Sequence, residues 1–197
     1  MAPVLILILL VLGAIGAWYF LARRRLVFTN ELMAPIWLAA GQRAPVSVAP
    51  GGSQTLDLPG GSVVVQWNLA RPLSADQRPM GEELRGSAVL RESRGVIRRS
   101  ATVRESGTAY FAPLITNGTE ELLRIAVNAG LEGAVDCGCG VRPGARRVFV
   151  GYYRLYQNST VRARDSGGRN ATFRDLGASV TTPDGTVGLR FESKDFR

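Results

Sequence analysis

The chain of 197 residues contains no histidine. That absence removes Ser-His-Asp and Cys-His catalysis, histidine-ligated zinc, and an axial histidine for haem or chlorophyll. Lysine is almost missing too: Lys194 is the single one, so nearly all positive charge is arginine. The two cysteines, Cys137 and Cys139, lie in "DCGCG". Two ligands do not complete a tetrahedral metal site, and no second cysteine pair exists to finish one. The glycine-rich stretches "PGGS" and "PGGSV" lack a following Gly-Lys-Ser/Thr, so they read as turns and not phosphate loops. No catalytic residue, cofactor or metal-ligand set follows from the sequence. No Lys or Arg precedes Arg23, so the positively charged start of a secretory signal peptide is also missing.

Charge of either sign is absent from the side chains of residues 1–22. In helical form about 20 apolar residues span the roughly 30 Å of a bilayer's hydrocarbon core. The run therefore predicts an uncleaved N-terminal transmembrane α-helix with a basic stop, over residues 1–25. Trp18 and Tyr19 suit the headgroup layer, and Arg23, Arg24 and Arg25 follow closely. Positive charge beside a span stays cytoplasmic, which places the short N-terminus outside and the remainder in the cytoplasm. Gly13, Gly16 and Ala17 form a small-residue face on which a second helix can pack. The skew toward Arg, Ala, Gly and Val points to GC-rich coding and a bacterial inner membrane.

Beyond the anchor, short runs rich in β-branched and aromatic residues are cut by Gly and Pro. "VSVAPGGSQTLDLPGGSVVVQW" alternates clearly. The fold class expected is a single N-terminal transmembrane helix plus an all-β domain, either a β-sandwich or two small stacked β units. Residues 26–70 are the first β unit, 71–86 a linker or loop, and 87–197 a second β unit sharing a core with the first. A faint repeat supports two related units. "TN" at 29–30 leads to "IWLAAG", and "TN" at 116–117 leads to "IAVNAG"; Val46 then matches Cys139, and Val48 matches Val141. "ASVTTPDGTVGLRF" reads as a hairpin turning at "PDG". "RRVFVGYYRLY" is apolar on both faces, as for a central or covered strand.

Several features have plain readings. Glu82-Glu83 and Glu120-Glu121 are adjacent acids, which diverge in a strand and are solvated turn charges rather than an acid–base pair. The sequons at Asn117, Asn158 and Asn170 accept glycans only in a eukaryotic lumen and otherwise are turn residues. In a strand Cys137 and Cys139 share a face. They are reduced, half-buried thiols in a cytoplasmic domain, with a local disulfide or redox pair as the alternative.

Net charge is +8, of which Arg23, Arg24 and Arg25 contribute three. The remainder is basic in its own right and suits acidic lipid headgroups or an acidic protein surface. The expected function is a non-catalytic accessory or structural subunit of a larger membrane protein complex, photosynthetic or respiratory. It docks by its helix and a basic β domain. The expected partners are other membrane protein subunits and a bilayer with acidic headgroups, with no nucleic acid. The alternative is a periplasmic or surface-facing membrane-anchored β-sandwich that binds polysaccharide or peptide. A third class is a redox or metal-handling protein using Cys137 and Cys139.

Overall fold

A computed structural model describes residues 11–14, 24–74, 76–91, 95–105, 107–131, 135–180 and 182–197. Its strands follow from period-two patterning. "VVVQWNL" alternates buried and exposed along its whole length, and "LRIAV" and "TVGLRF" follow the same rule. Each such strand has one dry face that must meet a second sheet.

In the first unit these strands are β1 (Arg24–Asn30), β2 (Ile36–Ala40), β3 (Val46–Val48), β4 (Ser53–Leu58), β5 (Val63–Leu69), β6 (Arg85–Leu90) and β7 (Gly95–Ala101). They form two sheets, β4-β1-β7 and β3-β2-β5-β6. β1 runs antiparallel to β4 and parallel to β7. Leu26 and Phe28 from one sheet meet Ile36, Leu38, Val65 and Trp67 from the other in a common core.

The second unit repeats the plan. Its strands are β8 (Arg104–Glu105), β9 (Thr108–Asn117), β10 (Leu123–Val127), β11 (Val135–Val141), β12 (Val148–Phe149), β13 (Tyr153–Arg154), β14 (Val161–Arg164), β15 (Asn170–Phe173) and β16 (Thr186–Phe191). β9 takes the place of β1, antiparallel to β12 and β13 and parallel to β16. The order β11-β10-β14-β15 answers β3-β2-β5-β6.

One residue in each unit ties the two sheets together. Asn30 ends β1 and is fully buried. Its amide donates to the carbonyls of Ala34 (2.9 Å) and Val48 (3.0 Å), and its Oδ1 accepts the Leu32 N–H. Asn117 ends β9 and does the same: it donates to Glu121 O (2.7 Å) and Val141 O (2.9 Å), and accepts the Thr119 N–H. The backbone matches too. Gly51 N–H donates to Asn30 O, and Gly144 N–H to Asn117 O. Asn117, the first of the three sequon asparagines, is 1% exposed and occupied in this way.

The units exchange side chains. The stretch 148–154 breaks at Gly151, whose φ of +108° is open to glycine. The break sends Tyr152 and Phe149 toward the first core and Tyr153 into the second. This is why the segment is apolar on both faces. Met80, from the first unit, enters the second core in return. A Cβ on Gly81 would lie 2.8 Å from Tyr152 N and O, so the two backbones touch there. Glu82 N–H donates to Tyr152 O at 2.7 Å. The Tyr152 hydroxyl accepts the Met33 N–H (2.8 Å) and donates to Asp184 O (3.0 Å). Burial pushes its pKa up, so it stays a donor.

Several expectations are corrected. Among the described residues no helix is long and apolar enough to cross a membrane. The single-pass anchor over 1–25, and the membrane character drawn from it, are therefore not what the structure shows. Before β1 the described residues are 11–14, which are helical. Gly13 lies there, and a Cβ on it would meet nothing within 4 Å. Gly16, Ala17, Trp18, Tyr19 and Arg23 lie outside the described residues. Arg24 and Arg25, expected at a headgroup layer, open β1. Arg24 is 6% exposed; its guanidinium donates to the carbonyls of Pro59 (3.0 Å), Arg91 (2.8 Å) and Gly61. Arg25 faces Asp57 at 3.4 Å on the exposed side.

Residues 71–86 do not separate the units. β6 and β7 pair with β5 and β1, so the first unit closes at Ala101. Among the described residues the strand pairing expected across "PDG" is absent as well: β16 runs parallel to β9, and Leu176–Ala178 form a 3-10 turn. β7 and β16 each take a distant parallel partner, while β6 pairs antiparallel with its neighbour β5.

Replacing Asn30 by alanine takes this partner from the Ala34 and Val48 carbonyls and the Leu32 N–H, and replacing Asn117 takes it from the Val141 carbonyl and the Thr119 N–H, while Glu121 O keeps the Thr119 hydroxyl at 3.2 Å. Each should lower the unfolding free energy by about 2–4 kcal/mol in urea denaturation, since a buried polar group without a partner costs about 1–3 kcal/mol. A change below about 0.5 kcal/mol would show that the asparagine staples nothing. Asp184 offers a pH test. Burial opposes its ionisation, but the Thr186 and Thr182 hydrogen bonds outweigh burial and hold it below the ordinary 3.8. Its ionised form thus contributes stability above pH 3.8, and that contribution is lost as pH falls through the lower folded value. The stability gap between wild type and Asp184→Asn should narrow in that acid range and stay constant from about pH 5 to about pH 7.

Candidate functional site

The outward faces of the two four-stranded sheets differ in chemistry although they share a topology. In the first unit, Trp37 stands opposite Asn68 in register, with Gln66 two residues before Asn68 on β5. Trp37 is 45% exposed, and Val64 and Val89 extend the same face. In the second unit Arg124 occupies the Trp37 position, opposite Arg164, and Arg162 occupies the Gln66 position opposite Ala126. Alternation leaves Arg124, Arg162 and Arg164 exposed while Ile125, Val161 and Ala163 are buried. Like charges directly opposite on antiparallel strands oppose pairing by about 0.2–1 kcal/mol. The ion pairs of neighbouring arginines go elsewhere: Arg169 to Asp165 (2.8 Å) and Glu121 (3.5 Å), Arg190 to Glu192 (2.9 Å). Among the described residues no acidic side chain pairs with Arg124, Arg162 or Arg164.

Beside this face lies a cavity of about 650 Å³, walled by both units. The 71–84 loop supplies Leu73, Asp76 and Met80, and the second unit supplies Leu122, Arg124, Cys139, Arg142 and Phe149. The loop is closed on itself by a bridge between Leu73 and Pro79. At its rim the Asp76 carboxyl is lowered, first by the Ser74 hydroxyl and also by Arg78 at 2.9 Å, with burial acting against them. A second hollow of about 420 Å³ adjoins, lined by Arg124, Arg164, Ser166 and Asp165 among others. Arg124 belongs to both walls.

Cys137 and Cys139 are joined in a disulfide. The reduced-thiol reading therefore gives way to the local bridge. The bridge sits in a bulge. Arg124 pairs with Gly140 and Ala126 with Asp136, so Ile125 alone faces Cys137, Gly138 and Cys139. Alternate Cα atoms of an extended strand are roughly 6.7 Å apart; here they are 5.1 Å apart. The bridge thus lies where the strand is puckered. In the first unit the corresponding strand, β3, is regular where Val46 meets Leu38. Both cysteines are nearly buried, at 5% and 6% exposure. The Cys139 N–H donates to Cys137 Sγ at 3.2 Å.

Of the residues singled out from sequence, only Cys137 and Cys139 reach this region. The acidic pairs have structural roles. Glu82 accepts the Arg154 N–H across the two units, and Glu121 accepts the Ser166 N–H at 3.1 Å. Sequence reasoning missed Arg124, Arg162, Arg164 and Arg142. The alternation of "RIAV" and "VRAR" was visible, but nothing local says that the two strands are neighbours. Among the described residues no group of three or more His, Cys, Asp or Glu side chains is placed to hold a metal ion. No protein-family model matches the sequence, and no curated protein matches it.

The bridge has a direct check. The unfolded, unreduced chain should take up no iodoacetamide, and two equivalents after reduction, by intact mass. A ring this small restrains the unfolded chain weakly, by about 1.6 kcal/mol on the chain-entropy relation against about 4.7 kcal/mol for a 100-residue loop. Loss of the link in Cys137→Ala with Cys139→Ala, which buries no new polar group, should therefore cost about 1–2 kcal/mol and leave the fold intact.

Proposed function

We propose that the protein is a non-catalytic accessory module. It docks through the basic outer face of its second unit onto an acidic surface of a larger protein assembly. The observation that carries this reading is the register pairing of Arg124 with Arg164, beside Arg162, on an exposed face where no described acid pairs with them. A folded protein keeps such an arrangement at a cost unless anions from outside complete it. Arginine suits this role, because its planar fork grips a carboxylate in two places and is weakly hydrated. The rigid sheet holds the three guanidinium groups at fixed spacing. The absence of histidine removes the commonest general base, and the arginines supply positive charge without nucleophile or acid.

A second reading, a wall that binds polysaccharide or peptide, is favoured by Trp37. It is half exposed, with Ser47 and Asn68 on the flanking strands. An apolar ring framed by polar groups is a stacking platform.

The test is size and composition of the native particle. Isolated gently from its source at low salt, the protein should elute within a larger assembly. Arg162→Glu with Arg164→Glu should release it, and raised salt should do the same by screening. Recovery of the wild type as a lone monomer at every salt concentration rules the docking role out. Quenching of Trp37 fluorescence by an oligosaccharide, lost in Trp37→Ala, would favour the second reading instead.

A further inference from the structure

We propose that the Cys137–Cys139 disulfide is a thiol–disulfide exchange site, served through the adjoining cavity by a small anionic thiol. The site goes beyond the docking role and does not depend on it. Four observations converge. The bridge lies in a bulge, with Cα atoms 5.1 Å apart. Cys139 lines a cavity of about 650 Å³, large enough for a tripeptide-sized thiol, whereas Cys137 does not line it. Arg124 and Arg142 stand in the same wall against one carboxylate, Asp76, so the charged lining is net positive and draws in a thiol bearing carboxylates. The Cys139 N–H points at Cys137 Sγ, 3.2 Å away.

The chemistry closes with two equivalents of thiol. A thiolate RS⁻ enters the cavity and attacks Cys139 Sγ. The new bond is RS–SCys139, and the bond broken is Cys137–Cys139. The electron pair leaves on Cys137 Sγ, where the Cys139 N–H stabilises it until a proton arrives. A second RS⁻ attacks the sulfur of R in the mixed disulfide and releases RSSR. Cys139 departs as a thiolate and is protonated. Two thiols are oxidised to one disulfide, and the protein bridge is reduced to two thiols. The reverse sequence oxidises the protein. Reduction removes the covalent link across the pucker opposite Ile125.

The full oxidised chain is mixed with glutathione, which carries two carboxylates, or with neutral 2-mercaptoethanol. Aliquots are quenched in acid and read by intact mass. The disulfide of the peptide Asp-Cys-Gly-Cys-Gly serves as the reference for each thiol. Relative to that peptide, glutathione should be the faster reductant of the protein. Arg142→Gln should slow glutathione by about threefold or more, by loss of a charge within a Debye length, and leave 2-mercaptoethanol unchanged. Arg142 is exposed, so the substitution should leave the fold intact, which circular dichroism verifies. In the single-cysteine variants, oxidised glutathione should modify Cys139 in Cys137→Ser faster than Cys137 in Cys139→Ser. A bridge inert to both thiols, or equal response to Arg142→Gln with either thiol, overturns the proposal. So does faster modification of Cys137.

Discussion

The buried asparagine that ends β1 in one unit and β9 in the other is the constraint on which both units depend. A two-sheet sandwich must turn the chain from one sheet to the other, and the turn exposes backbone groups inside the core. Asn30 and Asn117 satisfy those groups with one side chain each. Two amide hydrogens reach carbonyls on the opposite sheet and on the turn, and the amide oxygen takes an N–H from the turn. No other side chain of that length offers two donors and an acceptor in one plane without charge. With this arrangement comes the meeting of Leu26 and Ile36 in one core and of Ile115 and Leu123 in the other.

With each sandwich closed, the contact between them comes from a break in regularity. Gly151 shifts the alternation by one residue, so Tyr152 falls with Phe149 in the first core and Tyr153 with Val148 and Val150 in the second. Gly81 allows the opposing loop to lie directly on that backbone. The 71–84 loop is thereby pinned across the second unit, and the space left beneath it is the cavity beside Cys139. The position of the candidate chemistry is a consequence of how the units meet. It is not a property of either sandwich alone.

The two units also show how one framework carries different surfaces. Trp37, Gln66 and Asn68 in the first become Arg124, Arg162 and Arg164 in the second, at corresponding positions on corresponding strands. Inward residues remain apolar in both, because they must fill a core. Outward ones are free to change, and the change from neutral to cationic is what distinguishes a basic face from an ordinary one. The bulge at Cys137–Cys139 is a second departure, since β3 has no counterpart to it.

Read without its partners, the chain already discloses the β character, many of the strands and a likeness between the two units. Alternation of side chains along a strand is a local property, and so are glycine and proline turns. The lack of histidine likewise needs no structure to exclude histidine chemistry. At the end of the N-terminal run, hydropathy and charge do not register that Arg24 and Arg25 belong to a sheet strand and not to a headgroup layer. Folding in three dimensions settles the rest. It sets β7 and β16 parallel to β1 and β9, keeps residues 71–86 with the first unit, and brings Arg124 opposite Arg164. These are contacts between segments far apart in the chain. Their free energies come from burial and pairing with partners that no short window of sequence contains.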